Sequence, residues 1–442
     1  MSATYQGYGT AVVAGGGPAG LVAAWVLREW ADEVMVIEHD RLPHIPAWRP
    51  GTPQASHAHL LLEAGHRSLE ELMPGIVAEL LAAGGIRVVM GRDLRWLTAA
   101  GRMAPHQSMI SILSLTRPLL EHVLRARVAS DPRIRIIDGT TVVGLLGNEH
   151  TVAGVRIRGR GDKATVDVPA ELVVDASGRG GSVTRWLQQL GCAPVPEQRV
   201  DAGCVYSSRL ISDVVMPGVG AMYVQTTAAR PVTGSLLPVE RDRWIVSLGG
   251  MRNHQPGQGE AGFQALLSQL RDPVMREVVL AAEPVTDTDV AWFPAGPSVR
   301  RDLRHVPDGL VGLGKAGPYD PNPVYGQGMA ISFRGAQALG AALARYGGIG
   351  PAAVRAARRD IMAAGSDAWM MSTAEDSRFP ATIGAPRGPI VRGQHRFLDQ
   401  VLHRATRDPR VAAAFTAVMS LIAPPAALFR PRIVAPVLLG IG

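Results

Sequence analysis

Near its start the chain alternates short apolar blocks with a glycine-rich break. Ala11-Val-Val-Ala14 is an uninterrupted apolar run, too short for a helix, and reads as a buried strand. Gly15-Gly-Gly-Pro-Ala-Gly20 follows at once; residues 21–30 then carry apolar positions at helical spacing, and Val34-Met-Val-Ile37 is a second strand. Much later, residues 310–329 run from an apolar strand through a Pro/Gly turn into a helix predicted over 330–346. Between these regions, 203–211, 221–225, 234–238 and 243–248 read as strands bounded by Gly, Pro and Asp, which suggests an antiparallel sheet. Residues 260–283 look helical, and from about 350 the chain becomes Ala/Arg-rich and helical. The nearly uncharged run 411–429 has about the length of a membrane span. Pro424-Pro425 breaks it and Arg430 and Arg432 follow, so no transmembrane span is expected. Two short helices packing an apolar face on the rest of the protein are expected instead, with a weak interfacial contact by this C-terminal region as the alternative.

The first block carries chemistry. G-x-G-x-x-G stands in the strand–turn–helix–strand setting that a dinucleotide site requires. Gly15 permits the tight turn, Gly17 lets the backbone approach a pyrophosphate, and Gly20 lets the helix pack on the strand. Pro18 and Ala19 open the helix, whose free N–H groups and positive dipole end face the phosphates. Glu38, about twenty residues on, sits where a carboxylate accepts ribose hydroxyls. No second copy occurs in such a setting: Gly218-Val-Gly220 follows Pro217 without a flanking strand and helix, and reads as a turn.

The second glycine-rich block says which dinucleotide. With Gly314-Lys-Ala316 and Pro323-Val-Tyr-Gly326-Gln327-Gly328-Met329, the chain resembles the FAD-dependent monooxygenases of the p-hydroxybenzoate hydroxylase type. That resemblance places Gly314, Lys315 and Ala316 at the turn that holds the flavin ribitol. It places Pro323, Gly326, Gln327, Gly328 and Met329 on the loop and helix facing the flavin, with Pro323 near its reactive edge. Three further segments match in order. Arg117, in Ser114-Leu-Thr-Arg-Pro-Leu-Leu-Glu121, resembles the arginine that reaches the FAD; Val142 falls on the strand along the adenine; and Asp175, in 172–182, belongs to an internal D-G-type motif. Arg49 opens Arg49-Pro-Gly-Thr-Pro-Gln54-Ala-Ser-His57-Ala-His59, which, together with 322–329, resembles the bacterial branch containing the polyene epoxidases of polyether ionophore pathways.

The resemblance implies an α/β fold: a discontinuous Rossmann-like FAD domain (1–90, 107–185 and 290–345), a β-sheet-rich substrate domain (91–106 and 186–289) and a C-terminal helical region (346–442). Composition agrees with a large globular enzyme, at 442 residues and 47% hydrophobic. All but two of the 45 Lys and Arg residues are arginine, a bias that, with abundant Ala, Gly and Pro, suggests a GC-rich bacterial gene. The net charge of +7 is spread without a basic run or aromatic-interleaved stripe, so no nucleic-acid partner is expected. Cys192 and Cys204 are too few for a disulfide framework, and the residues before the first strand do not read as a charged and apolar leader, so a cytoplasmic location is expected.

No protein nucleophile stands out. Ser182 lies in G-x-x-S rather than the G-x-S-x-G elbow, and no His/Cys cluster has metal spacing, so no metal is expected. His57 and His59 alternate along an extended segment and share one face, expected to pack or hydrogen-bond near the flavin. The W-x-W-x-I-P signature of flavin halogenases is absent. Met222, Tyr223, Trp244 and Trp292 are the substrate-pocket candidates. Lys315 departs from the family's pattern, which has an aspartate acceptor there; an ammonium can only donate, and could reach the FAD phosphates as a point charge.

The function implied is an NAD(P)H- and O2-dependent FAD monooxygenase of bacterial specialised metabolism, with NAD(P)H a transient reductant and a flavin C4a-hydroperoxide as oxidant. Its partner would be a lipophilic polyketide or isoprenoid-type small molecule, with alkene epoxidation favoured because a neutral alkene needs no acid/base pair. Aromatic hydroxylation, flavin dehydrogenation or reduction, and a flavin-poor non-redox cyclisation are the alternatives.

Overall fold

A computed structural model describes residues 9–179, 183–216, 218–285 and 289–439. The end of the Asp175 motif, including Ser182, and Pro217 of the 217–220 segment lie outside the described residues.

Five parallel strands form the first sheet, in the order Leu310–Gly312, Leu172–Asp175, Thr10–Ala14, Glu33–Ile37 and Ile134–Ile137. Both faces are covered, as parallel sheets require. Ala11, Val13, Val34, Val36 and Val174 point into one core with the helices Pro18–Leu27, Arg117–Ala129 and Gly328–Tyr346. Their neighbours Val12, Ala14, Met35, Ile37 and Val173 point the other way, onto the antiparallel ribbon Thr140–Gly147, Val152–Gly159 and Val166–Pro169. The apolar blocks are unbroken because alternate residues serve two different cores.

A second, eight-stranded sheet has Val205–Ser212, Arg243–Gly250, Val232–Val239 and Ala221–Val224 at its centre, paired antiparallel. It departs from the antiparallel expectation at one edge, where Ala221–Val224 pairs parallel with Leu94–Thr98. The helical stretch predicted over 260–283 is two helices, Gly259–Ser268 and Pro273–Ala281. Proline cannot continue the first, and Asp272, accepting from Val274 N–H at 3.0 Å, caps the second.

Beyond 350, the helices Pro351–Asp376, Pro389–Ala405, Pro409–Met419 and Pro431–Leu439 pack on both sheets, each opening with proline at its first turn. The run 411–429 divides into the end of one helix and a 3-10 turn, Pro425–Phe429. Among the described residues no helix is long and apolar enough to cross a membrane.

Phe263, fully buried beneath the second sheet, tests that core without touching either cavity described below. Phe263→Ala should cost about 3–5 kcal/mol in urea denaturation, while the folded variant keeps the parent's affinity for dinucleotide.

Candidate active site

The site gathers where the parallel strands end. Gly15 turns at φ +108°, and a Cβ there would lie 2.5 Å from the Ala176 carbonyl; one on Gly20 would lie 1.9 Å from the Gly15 carbonyl. Gly17 differs. Its Cβ would meet only two guanidinium nitrogens, of Arg117 at 3.6 Å and Arg49 at 3.9 Å. Two cations therefore converge over the one glycine whose backbone is open, a cradle shaped for a diphosphate.

Buried carboxylates hold those cations. Glu121 accepts from Arg49 Nε at 2.9 Å and from Arg117 Nε at 2.7 Å. Burial alone would raise the Glu121 carboxyl, but Arg117 and Arg49 hold it below the ordinary carboxylate range. Arg49 also donates to Asp40 at 2.8 Å. Glu38, at the end of its strand, accepts the Gly16 N–H at 2.7 Å and the Asp40 N–H at 2.9 Å, bracing the glycine turn. Glu38, His39 and Asp40 bring potential metal-ligand atoms within 4.8 Å of one another, yet Gly16 and Arg49 already engage both carboxylates. Asp175 ends the neighbouring strand and caps Ser177 N–H at 3.0 Å; burial raises its carboxyl. Val142 packs in the core below the sheet.

The second glycine-rich block meets the first. Gly314, at φ +61°, begins the 3-10 turn Gly314–Ala316, and a Cβ on it would press Ala19 at 2.9 Å. Asn322 caps the turn Pro323–Tyr325, and Gly326, at φ +67°, swings the chain into the helix Gly328–Tyr346. This loop is tied to the C-terminal region. Asp376, wholly buried, accepts from Asn322 Nδ2 at 3.0 Å and the Tyr325 hydroxyl at 2.8 Å, and Gln327 Nε2 reaches the Met419 carbonyl at 3.5 Å. Burial pushes Asp376 up to about 7 against those two donors.

A cavity of about 220 Å³ collects Gly17, Pro18, Ala19, Arg117, Gly314, Lys315, Pro323, Gly326, Gly328 and Met329, which motif reading had placed along three hundred residues of chain. Arg49, Gly15, Gly20, Glu38 and Asp175 are not among its lining: Arg49 stands over Gly17 beside Arg117, and the others hold the glycine turn and the strand ends around it. His57 lines this cavity too. Its Nδ1 lies 2.6 Å from Ser208 Oγ, which bonds Ser247 Oγ at 2.6 Å, leaving a buried Nε2 without a partner. Burial lowers His57 to about 4 and His59 to about 3, so both are neutral at neutral pH. Lys315 reaches within 4.0 Å of Asp320, which also takes Arg179 Nε at 2.7 Å, and a third of its side chain stays open to the cavity. Burial lowers its ammonium to about 8, Asp320 opposing and Arg179 and Arg117 adding to the fall.

A second cavity of similar volume lies between the larger sheet and the C-terminal helices. Leu60, Tyr223, Ser235 and Val324 line both, so the two share a wall. Its surface is almost wholly apolar, with Met90, Trp96, Met370, Met371, Phe397 and Phe415 prominent. Of the four pocket candidates only Tyr223 is here. Met222 and Trp244 pack on the opposite face of the sheet, since side chains alternate along a strand. Trp292 is 37% exposed and donates to the Pro256 carbonyl at 3.0 Å. The C-terminal lining was missed; the uncharged 411–429 run and the Met370-Met371 pair were its only signals.

Residues 9–295 match a family described as FAD binding domain. "Protein Rv3254" of Mycobacterium tuberculosis (strain ATCC 25618 / H37Rv) is 30% identical over 430 residues, covering 93% of this chain and 89% of that protein. The chain belongs to this FAD-binding-domain family. Its fold is shared with a triple variant of the flavin-dependent brominase Bmp2 (TM-score 0.69, 14% identity, 93% of each chain). It is also shared with p-nitrophenol 4-monooxygenase PnpA from Pseudomonas putida DLL-E4 (TM-score 0.68, 14% identity, 95% of this chain and 100% of that one). FAD is the family's cofactor, and the open Gly17 cradle between two arginines fits its diphosphate.

The glycines separate fold from binding. Gly17→Val should leave thermal stability near the parent's while weakening FAD about a hundredfold, or about 2.8 kcal/mol. Gly20→Ala should lower stability itself by about 3 kcal/mol, because the backbone it meets cannot move aside.

Lys315 gives a second expectation. If its ammonium engages bound FAD, affinity measured by flavin fluorescence should fall as pH rises through about 8. Lys315→Arg should flatten that profile and Lys315→Asp weaken FAD throughout. A parent profile already flat there would leave the ammonium without a part in binding.

Proposed function

We propose that this protein is an NAD(P)H- and O2-dependent monooxygenase that inserts one oxygen atom into a lipophilic product of bacterial specialised metabolism, alkene epoxidation being the favoured reaction. The observation that carries the reading is the wall shared by the cofactor cavity and the apolar one. An apolar body lying across Tyr223 and Val324 would bring a carbon atom to the cofactor while filling the space that water would occupy.

Bound FAD, once reduced by NAD(P)H, supplies the activation of O2. The chain's own residues bind, orient and exclude water. Glu38, Arg49 and Arg117 hold the dinucleotide end, and Asp376 fixes the loop that carries Pro323. The N-terminus of the helix Gly328–Tyr346 directs unpaired N–H groups and positive dipole at the cavity, which favours negative charge there. Val142 would support the adenine strand from below, as a packing residue.

Acid and base groups are quiet at the shared wall. Of the four shared residues only Tyr223 titrates, and burial raises it to about 12, so its phenol keeps its proton; His57 and His59, on the cofactor side, are lowered to about 4 and about 3 and are weak bases. This favours a substrate that needs no deprotonation, an alkene over a phenol. Membership of the polyene-epoxidase branch, suggested by 49–59 and 322–329, agrees with that preference. Cys192 and Cys204 are free thiols, in keeping with a cytoplasmic enzyme.

A panel of lipophilic alkenes and phenols, supplied with NAD(P)H under 18O2, tests the proposal. One labelled oxygen should enter product, and alkenes should turn over faster than phenols. Label arriving from water, or turnover without oxygen, would instead identify a dehydrogenase or a cyclase.

A further inference from the structure

The apolar cavity is lined by a few polar side chains, among them Gln327, Gln394 and His395, and at one end Glu375 and Gln225 stand together. Glu375, in the last turn of the helix Pro351–Asp376, is 9% exposed and lines it. Its Oε2 takes the Arg378 Nε–H at 2.7 Å. Among the described residues its Oε1 has only the Gln225 amide, at 3.5 Å, the outer limit of a hydrogen bond. Gln225, just beyond the strand Ala221–Val224, lines the cavity as well, and its own Oε1 is buried without a partner. The amide cannot be turned to relieve this, because its oxygen would then face the carboxylate. Two acceptors thus stand together at the end of a hydrocarbon-lined space, one weakly met and the other unmet. Buried acceptors in folded proteins find donors.

We propose that this end recognises a neutral hydrogen-bond-donating head group, a hydroxyl, on an otherwise hydrocarbon substrate. The inference rests on the reading of the apolar cavity as the substrate's. Arg378 pairs with Glu375 and also with Asp399, at 2.7 Å each, and the surrounding lining is largely hydrocarbon, so a neutral donor enters at lower desolvation cost than a second cation. A carboxylate head would bring further acceptors and a like charge beside Glu375. The hydroxyl orients the body. Gln225 follows Tyr223 by two residues, and Asp376, next to Glu375, holds Asn322 and Tyr325 on either side of Val324, so the head group sits beside the wall shared with the cofactor cavity and the body extends away among Met370, Met371 and Trp96. Oxygen insertion is then directed to carbon atoms near the hydroxyl.

The test uses the FAD-loaded enzyme with Nile red in the apolar cavity and three competitors of equal length: decanol, decane and decanoate. Decanol should displace the dye about tenfold more effectively than either of the others, the equivalent of one hydrogen bond. Gln225→Leu removes one acceptor without touching the Arg378 pair and should shrink that advantage to about twofold or less. Glu375→Gln should shrink it too and bring decanoate closer to decanol. Decanoate matching decanol in the parent, or an advantage that survives both substitutions, overturns the hydroxyl assignment while leaving the cavity's lipophilic role intact. Failure of all three to displace the dye removes the lipophilic reading, and the head-group assignment falls with it.

Discussion

Parallel strands all end on one edge, and in this sheet four of the five ends carry binding chemistry. Gly15, Glu38, Ala176 and Gly314 each follow a strand within two residues, so pairing Thr10–Ala14 with its neighbours brings them together before any side chain is considered. Crevices at such edges are where open α/β sheets bind ligands. The price is steric: the turn closes only because Gly15 and Gly20 have no Cβ, with carbonyl oxygens at 2.5 Å and 1.9 Å from where one would be. Arg49 and Arg117 can then stand over Gly17, anchored by a carboxylate whose pKa burial alone would raise.

A second constraint comes from the far end of the chain. Asp376 receives Asn322 and Tyr325 on one oxygen, and the loop facing the cofactor is shaped around that buried group. The C-terminal region is therefore more than a cover. It supplies the loop's anchor and half the lining of the apolar cavity, while Leu60, Tyr223, Ser235 and Val324 join that cavity to the cofactor's. Chemistry at such a wall depends on how completely an apolar ligand excludes water, a matter of volume and shape more than of ionisable groups.

Motif residues were legible because backbone geometry allows so few alternatives. The glycine turn, Glu38, Arg117 and the 314–329 block are local patterns whose spacing survives folding, and the structure brings them to one edge. The substrate wall was not legible in the same way. Met222 and Tyr223 are adjacent in sequence and equally apolar in character, yet a strand sends them to opposite faces, and only pairing with Ser235 and Leu236 settles which is which. The lining from Met370, Phe397 and Phe415 lies on helices whose apolar residues look like any packing face. Asp376 was invisible for another reason: one of four carboxyls in an Ala-rich helix, it gives no sign that Asn322 and Tyr325 will reach it. The break at Pro273, by contrast, is written in the sequence, but apolar spacing resumes on its far side and masks it.

The helix Pro351–Asp376 carries Met370 and Met371 on one wall of the apolar cavity and Asp376 at its end, under the cofactor loop. Its placement couples two properties that selection would otherwise tune separately. Any displacement of this helix to admit a bulkier molecule moves the carboxyl that fixes the loop, so divergence in substrate range is channelled to the opposite wall. Phe397 and Phe429, stacked at 4.4 Å between ring centres, belong to a separate helix and turn. Relatives that have diversified in what they accept should differ there first, with the long helix kept as an invariant rail.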